Sequence, residues 1–152
     1  MLALLAIARV GGNMTKEEAG ALVAPFYKAF ETGEIALLDR VFAPDWTDHT
    51  LPPGRPPGLA GLKQAVGFVR AVLPDVTATM EHTVFDGTTI VVRITFRGTN
   101  TGGFPGVGPN GAAVAFIAFD MHLIAGGRVA ESWHLEDNLS LMIQAGVVPP
   151  PG

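Results

Sequence analysis

Cysteine is absent from the 152 residues, which excludes disulfides, thiolate nucleophiles and zinc–thiolate sites together. Charge is scarce: Asp, Glu, Lys and Arg make up 16% of the chain, against about 25% in an average soluble domain. The ten basic residues are scattered between Arg9 and Arg128, and the formal charge is −4. The basic patch that nucleic-acid binding requires is therefore missing. Only two serines occur, Ser132 and Ser140, and neither sits in a G-x-S-x-G elbow, so a nucleophilic hydrolase is disfavoured. The apolar run from Leu2 to Ala8 is far shorter than the ~20 residues of a membrane span, and no basic residue precedes it as in a signal peptide. We expect a cytoplasmic protein whose partners include neither membrane nor nucleic acid.

What the chain has in excess is apolar surface. Hydrophobic residues make up 48%, and at this length one domain can bury about 70% of its unfolded surface. Part of the surplus should line a cavity or an oligomer interface. Thr15-Lys16-Glu17-Glu18 is a T-x-x-E capping box that opens the domain, which we place at 14–146. Residues 1–13 read as an apolar extension, either an upstream start, an expression remnant or a loosely held arm. Residues 147–152 read as a Pro-rich tail.

Ala19, Leu22, Val23, Phe26 and Phe30 recur at helical spacing, with Pro25 as a kink and Gly33 as the stop. A short helical run covers Ile35 to Phe42. Residues 43–60, rich in Pro and Gly, read as a loop, and Leu62 to Leu73 as a third helix ended by Pro74. From Val76 the period changes to 2. Strands are expected over Val76–Phe85, Thr88–Thr99, Ala112–Ala125 and Arg128–Leu135, with turns at Asp86-Gly87 and Gly126-Gly127. A last helix from about Asp137, its N-cap, to Ala145 completes an α+β domain of three N-terminal helical segments and an antiparallel meander. The glycine-rich stretch 100–111 joins no strand to a helix start, so it is no phosphate loop; it reads as a mobile rim over a pocket.

The order of Ala43-Pro44-Asp45-Trp46, Asp48-His49, Pro74-Asp75, Gly98-Thr99-Asn100-Thr101-Gly102, Asp120, Gly127-Arg128-Val129, Glu131-Ser132-Trp133 and Asp137 resembles the SnoaL-like (ester cyclase) family of polyketide cyclases. The resemblance spans nearly everything from Thr15 to Gly146. It implies a cone-shaped fold like that of nuclear transport factor two, with a curved antiparallel sheet wrapped on the helices around an apolar pocket. It also implies ring closure by intramolecular aldol condensation with no metal or cofactor. In such cyclases an acidic residue commonly follows the tryptophan of the E-x-W motif as the acid/base group. Here His134 holds that position, and an imidazole exchanges protons near neutral pH without a large shift.

Asp120 lies in an otherwise apolar strand, and a buried carboxylate without a partner costs several kcal/mol. Its partner depends on the turn. A two-residue loop at Gly126-Gly127 puts Asp120 opposite Trp133, whereas a glycine bulge puts it opposite Ser132 with His134 diagonal to it. The family's pocket favours the bulge. Asp120 and His134 then form either a functional acid/base pair or a structural hydrogen bond. His49, in the Pro-rich loop where the family carries a polar group, is the candidate oxyanion donor, with Asp48 orienting it or capping the loop. His122 shares the face of Asp120 and joins Trp46, Phe26, Phe30, Phe68, Phe104 and Phe116 as candidate substrate-binding residues. Asp120, His122 and His134 lack a convincing third ligand for a metal site. The outward face of the same strands, with Ile117, Phe119, Met121, Leu123, Val129 and Trp133, is apolar enough to suggest a homodimer.

The function expected is a cyclase-like acid/base enzyme acting on a hydrophobic small molecule. An epoxide-opening or isomerase-type enzyme of the same fold is the second reading, and a carrier or sensor of hydrophobic molecules is the third.

Overall fold

The computed structural model describes residues 14–152, and the extension read at 1–13 lies outside them. Helix α1, Lys16–Thr32, starts on the expected box: the Glu18 amide donates to Thr15 Oγ1 at 3.1 Å and the Thr15 amide donates to Glu18 Oε2 at 2.8 Å. It runs unbroken through Pro25 and ends on Gly33, whose φ of 76° is the left-handed conformation a C-terminal cap needs. Arg70 closes the same end from outside by donating to the carbonyls of Phe30 and Glu31. A 3-10 turn at Ile35–Leu37 leads into the one-turn helix α2, Leu38–Val41.

The stretch read as loop begins instead with a strand, β1, Phe42–Asp48. Proline at position 44 concealed it. Strand β1 is an edge strand, where a residue without an amide hydrogen is tolerated. Helix α3 spans Gly58–Val72, four residues earlier than its apolar spacing suggests, because no side chain caps its start. Gly61 lets the preceding loop lie against it: a Cβ there would stand 1.8 Å from the Pro56 carbonyl oxygen.

Strands β2 (Thr77–Phe85), β3 (Thr89–Thr99), β4 (Ala113–Ala125) and β5 (Arg128–Glu136) follow, then helix α4, Asn138–Gln144. Asp137 caps α4 by accepting from the Ser140 amide at 3.1 Å. The sheet order is β1-β5-β4-β3-β2, antiparallel except for the parallel β1–β5 pair, so the curved, open sheet is mixed. Along β4 every second residue from Val114 to His122 is buried, as are Ile90, Val92, Ile94 and Phe96 of β3. Phe26, Phe30, Leu62 and Val66 of the helices cover this face and form one core with it.

The β4–β5 hairpin settles the register. Gly126 and Gly127 both have positive φ, so the turn is a tight two-residue one, and Ala125 pairs with Arg128. The bulge lies further along, in β5: Leu123 pairs with Glu131 and Ile124 with Val129, leaving Ala130 as the extra residue. Asp120 therefore pairs directly with His134, and neither Ser132 nor Trp133 stands opposite it. The same bulge turns Val129 inward, where it is buried, so Val129 leaves the outward apolar face.

Candidate active site

Helices and sheet enclose a cavity of about 290 Å³, whose apolar lining includes Phe26, Phe30, Phe68, Phe96, Phe116, Leu62 and Val69. Trp46, Asp48, Asp120, His122, Ser132, His134 and Glu136 also line it, with Arg55 and Pro52 contributed by the loop before α3. One element delivers each group by its own period. The inward positions are 46 and 48 of β1, 120 and 122 of β4, and 132, 134 and 136 of β5.

His134 is held from both sides. Its Nδ1–H donates to Glu136 Oε1 at 2.7 Å and its Nε2–H to Asp48 Oδ2 at 3.1 Å. The other Asp48 oxygen accepts from the Thr50 amide and hydroxyl, and Thr50 Oγ1 accepts from the His134 amide, so carboxylate and imidazole are locked together. Burial opposes charge on the ring. The hydrogen bonds and charges of Glu136 and then Asp48 outweigh it and push the pKa of His134 up to about 9. Glu136 is moved the other way: burial would raise it, but the His134 bond and charge hold it below the usual carboxylate range.

Asp120 stands across from His134 in the ladder yet makes no hydrogen bond with it. Its Oδ2 accepts instead from the Tyr27 hydroxyl at 2.8 Å. Burial pushes its pKa up to about 6, partly offset by the Tyr27 bond. Behind it, His122 Nδ1 lies 2.8 Å from Ser132 Oγ and Nε2 lies 3.4 Å from the Tyr27 hydroxyl. Burial, and then the charge of His134, lower the pKa of His122 to about 3, so this ring is neutral. Trp46 Nε1 donates to Ser132 Oγ at 2.8 Å. Every buried side-chain polar atom among the described residues has a partner.

Of the residues singled out from the sequence, His134, Asp120, His122, Trp46, Phe26, Phe30, Phe68 and Phe116 meet at this cavity. His49 does not. It follows Asp48 by one residue at the end of an extended strand, so it points to the outer face, where its ring stacks on Trp133 at 4.5 Å and bonds to Glu131 at 2.6 Å. Phe104 is buried away from the cavity, in the glycine-rich loop. That loop is no free rim either. Buried Asn100 ties it by donating to the Gly108 carbonyl and Asn110 Oδ1, and the Gly102 amide donates to the Val72 carbonyl at the end of α3. Tyr27, Glu136 and the role of Asp48 escaped the sequence reading. Glu136 was within reach of it, since it lies two residues beyond His134 on the same face, whereas Tyr27 looks like one more apolar residue of α1.

No helix among the described residues is long and apolar enough to cross a membrane, and none of their His, Asp and Glu side chains form a cluster of three or more able to hold a metal ion.

The family model of the SnoaL-like polyketide cyclases matches residues 21–145. Among solved structures, a candidate polyketide cyclase of Bacillus cereus is 33% identical, with 89% of this chain and 87% of that one covered and a TM-score of 0.76. IdmH, a candidate polyketide cyclase of Streptomyces antibioticus, is 31% identical over 84% of this chain and 98% of its own, with a TM-score of 0.74. TsrD of Streptomyces laurentii is 25% identical over 90% of this chain and all of its own, with a TM-score of 0.80. No curated protein matches. The match over 125 residues, the sheet topology and the inward-facing polar lining of the cavity agree: the chain belongs to the SnoaL-like polyketide cyclase family.

Proposed function

We propose that the protein is a cytoplasmic enzyme that closes a ring in a hydrophobic carbonyl compound by acid/base catalysis, without a cofactor. The observation that carries this reading is a carboxyl and an imidazole, Asp120 and His134, paired across one ladder and facing one apolar cavity, with the imidazole held between two carboxylates. With a pKa of about 6 Asp120 is mostly ionised at neutral pH, and with one of about 9 His134 is mostly protonated. Their surroundings raise both, which leaves Asp120 available as a base and His134 as an acid at the same pH. Asp120 takes a proton from the carbon beside a carbonyl. The enolate carbon bonds to a second carbonyl carbon of the same molecule, whose C=O opens to an alkoxide, and the Nε2–H of His134, held by the longer of its two bonds, turns from Asp48 to give that oxygen a proton. Solvent then takes the proton from Asp120 and returns one to His134. The phenylalanine side chains of the lining hold the flexible substrate folded, which replaces a costly encounter by a positioned one.

The test is turnover of linear, hydrophobic 1,3-dicarbonyl chains, followed as the appearance of the cyclised product. Asp120→Asn and His134→Gln are each expected to lower kcat by about a hundredfold or more, the usual scale for one general acid or base. Unchanged turnover in a folded Asp120→Asn variant would remove the base. Tight binding with no turnover in the unaltered protein would make it a carrier. We also propose a homodimer joined through the outer sheet face, where Phe119 is 47% and Leu135 75% exposed.

A further inference from the structure

Four side chains from four elements make an unbroken polar chain that ends on Asp120: Trp46 of β1, Ser132 of β5 and His122 of β4, which line the cavity, and Tyr27 of α1 beneath them. Its polarity follows from what each group can do. The Trp46 indole nitrogen can only donate, so Ser132 Oγ accepts at that contact. Among the described residues the Ser132 hydroxyl has no other acceptor than His122 Nδ1. A neutral ring that accepts at Nδ1 carries its proton on Nε2, the nitrogen facing the Tyr27 oxygen. The Tyr27 oxygen is thereby occupied as an acceptor, and its single proton points at Asp120 Oδ2. Every donor then meets an acceptor with Asp120 Oδ2 accepting from Tyr27, a bond that is stronger to a carboxylate than to a neutral carboxyl and so favours the ionised form.

We propose that Trp46, Ser132, His122 and Tyr27 act as a directional relay of positioning residues that keeps the Tyr27 hydroxyl aimed at Asp120 and favours its ionised form. The proposal rests on the reading of Asp120 as the base. A carboxylate buried beside Glu136 and Asp48 would otherwise take up a proton and lose that role. The groups that act on Asp120 are Tyr27 from α1, Asp48 from β1, and His134 and Glu136 from β5. His122 from its own strand acts through Tyr27. Of these, only Tyr27 hydrogen-bonds to it, and Tyr27 is held neutral by burial and then by the neighbouring carboxylate, which push its pKa well above the usual phenol range. None of the four relay residues needs to touch the reacting atoms for this effect.

The relay is tested in the free protein by carbon-13 NMR titration of the Asp120 carboxyl and nitrogen-15 NMR of the His122 ring. In the unaltered protein His122 should carry its proton on Nε2 between pH 5 and pH 8. Tyr27→Phe should raise the Asp120 midpoint by about one to two pH units, the scale of one hydrogen bond to a charged group. Ser132→Ala leaves the Tyr27 contact in place but removes the donor to Nδ1. It should mix the two His122 tautomers and raise the Asp120 midpoint by less than Tyr27→Phe does. A proton on Nδ1 in the unaltered protein, an unmoved midpoint in Tyr27→Phe, or an unchanged His122 in Ser132→Ala would each overturn the relay. Should Tyr27→Phe fail to fold, the tautomer and Ser132→Ala decide alone. Because no substrate is used, full turnover by Asp120→Asn beside an intact relay would overturn the proposed base and leave the relay standing.

Discussion

Asp120 and His134 are neighbours across one ladder, yet their surroundings move them to opposite ends of the neutral range. His134 sits between two carboxylates, which outweigh the cost of burying its charge. Asp120 has one hydroxyl and little else to offset its burial. Both folded pKa values are raised above the unfolded ones, so each group's contribution to stability is largest at low pH. That of His134 is complete below about 6.5 and lost as the pH rises through about 9. For Asp120 stability falls between about 3.8 and about 6, because the folded state resists the ionisation that the unfolded chain has already undergone. Ionised Asp120 is thus a cost to the fold at neutral pH, of a kind expected where a site is built for chemistry. Asp120→Asn should be the more stable protein in chemical denaturation at pH 8, by about 2–3 kcal/mol, and should lose that advantage below pH 4. Equal stability at both pH values would show that the buried carboxylate carries no such penalty.

At the scale of elements, what the sequence made legible was whatever follows a single period with its punctuation intact. The Thr15 box, the Gly33 stop, the Asp86-Gly87 turn and the alternation of β4 all stand where the residues place them. Strand β1 was hidden because proline and a following Pro/Gly-rich stretch look like loop. It is recognisable only once β5 is there to pair with it. The misplacement of His49 has the same origin, since a loop assigns no face and a strand does. The hairpin register was legible in its consequence, with Asp120 and His134 on one face. Its cause was not, since the extra residue is Ala130, an alanine with no conformational signature, and not a turn glycine. The outer face of the sheet carries its own prediction. Phe119, Met121 and Leu135 are exposed there beside the His49–Trp133 stack, an apolar surface larger than scattered single residues explain. Sedimentation at micromolar concentration should give a dimer, and Phe119→Lys with Leu135→Lys should give a folded monomer. A monomer without these changes would mean that something other than a second copy covers the face.

Across the whole molecule, the cone of helices and sheet combines two jobs in one cavity. Aromatic side chains of α1, α3, β3 and β4 line it for an apolar chain, while β1, β4 and β5 bring five titratable groups to it. The parallel addition of β1 is what completes the polar part of the lining, since Asp48 is the second carboxylate on His134 and Trp46 starts the chain that reaches Asp120. A purely antiparallel four-stranded sheet would leave His134 with Glu136 alone. Whether one fold holds a base and an acid ready at the same pH is decided by a single NMR titration of the unaltered protein. It follows the Asp120 carboxyl carbon and the His134 ring nitrogens together from pH 4 to pH 10. The midpoints should fall near 6 and near 9, with an ionised Asp120 facing a doubly protonated His134 between them. A neutral His134 at pH 7, or an Asp120 still protonated there, would contradict it.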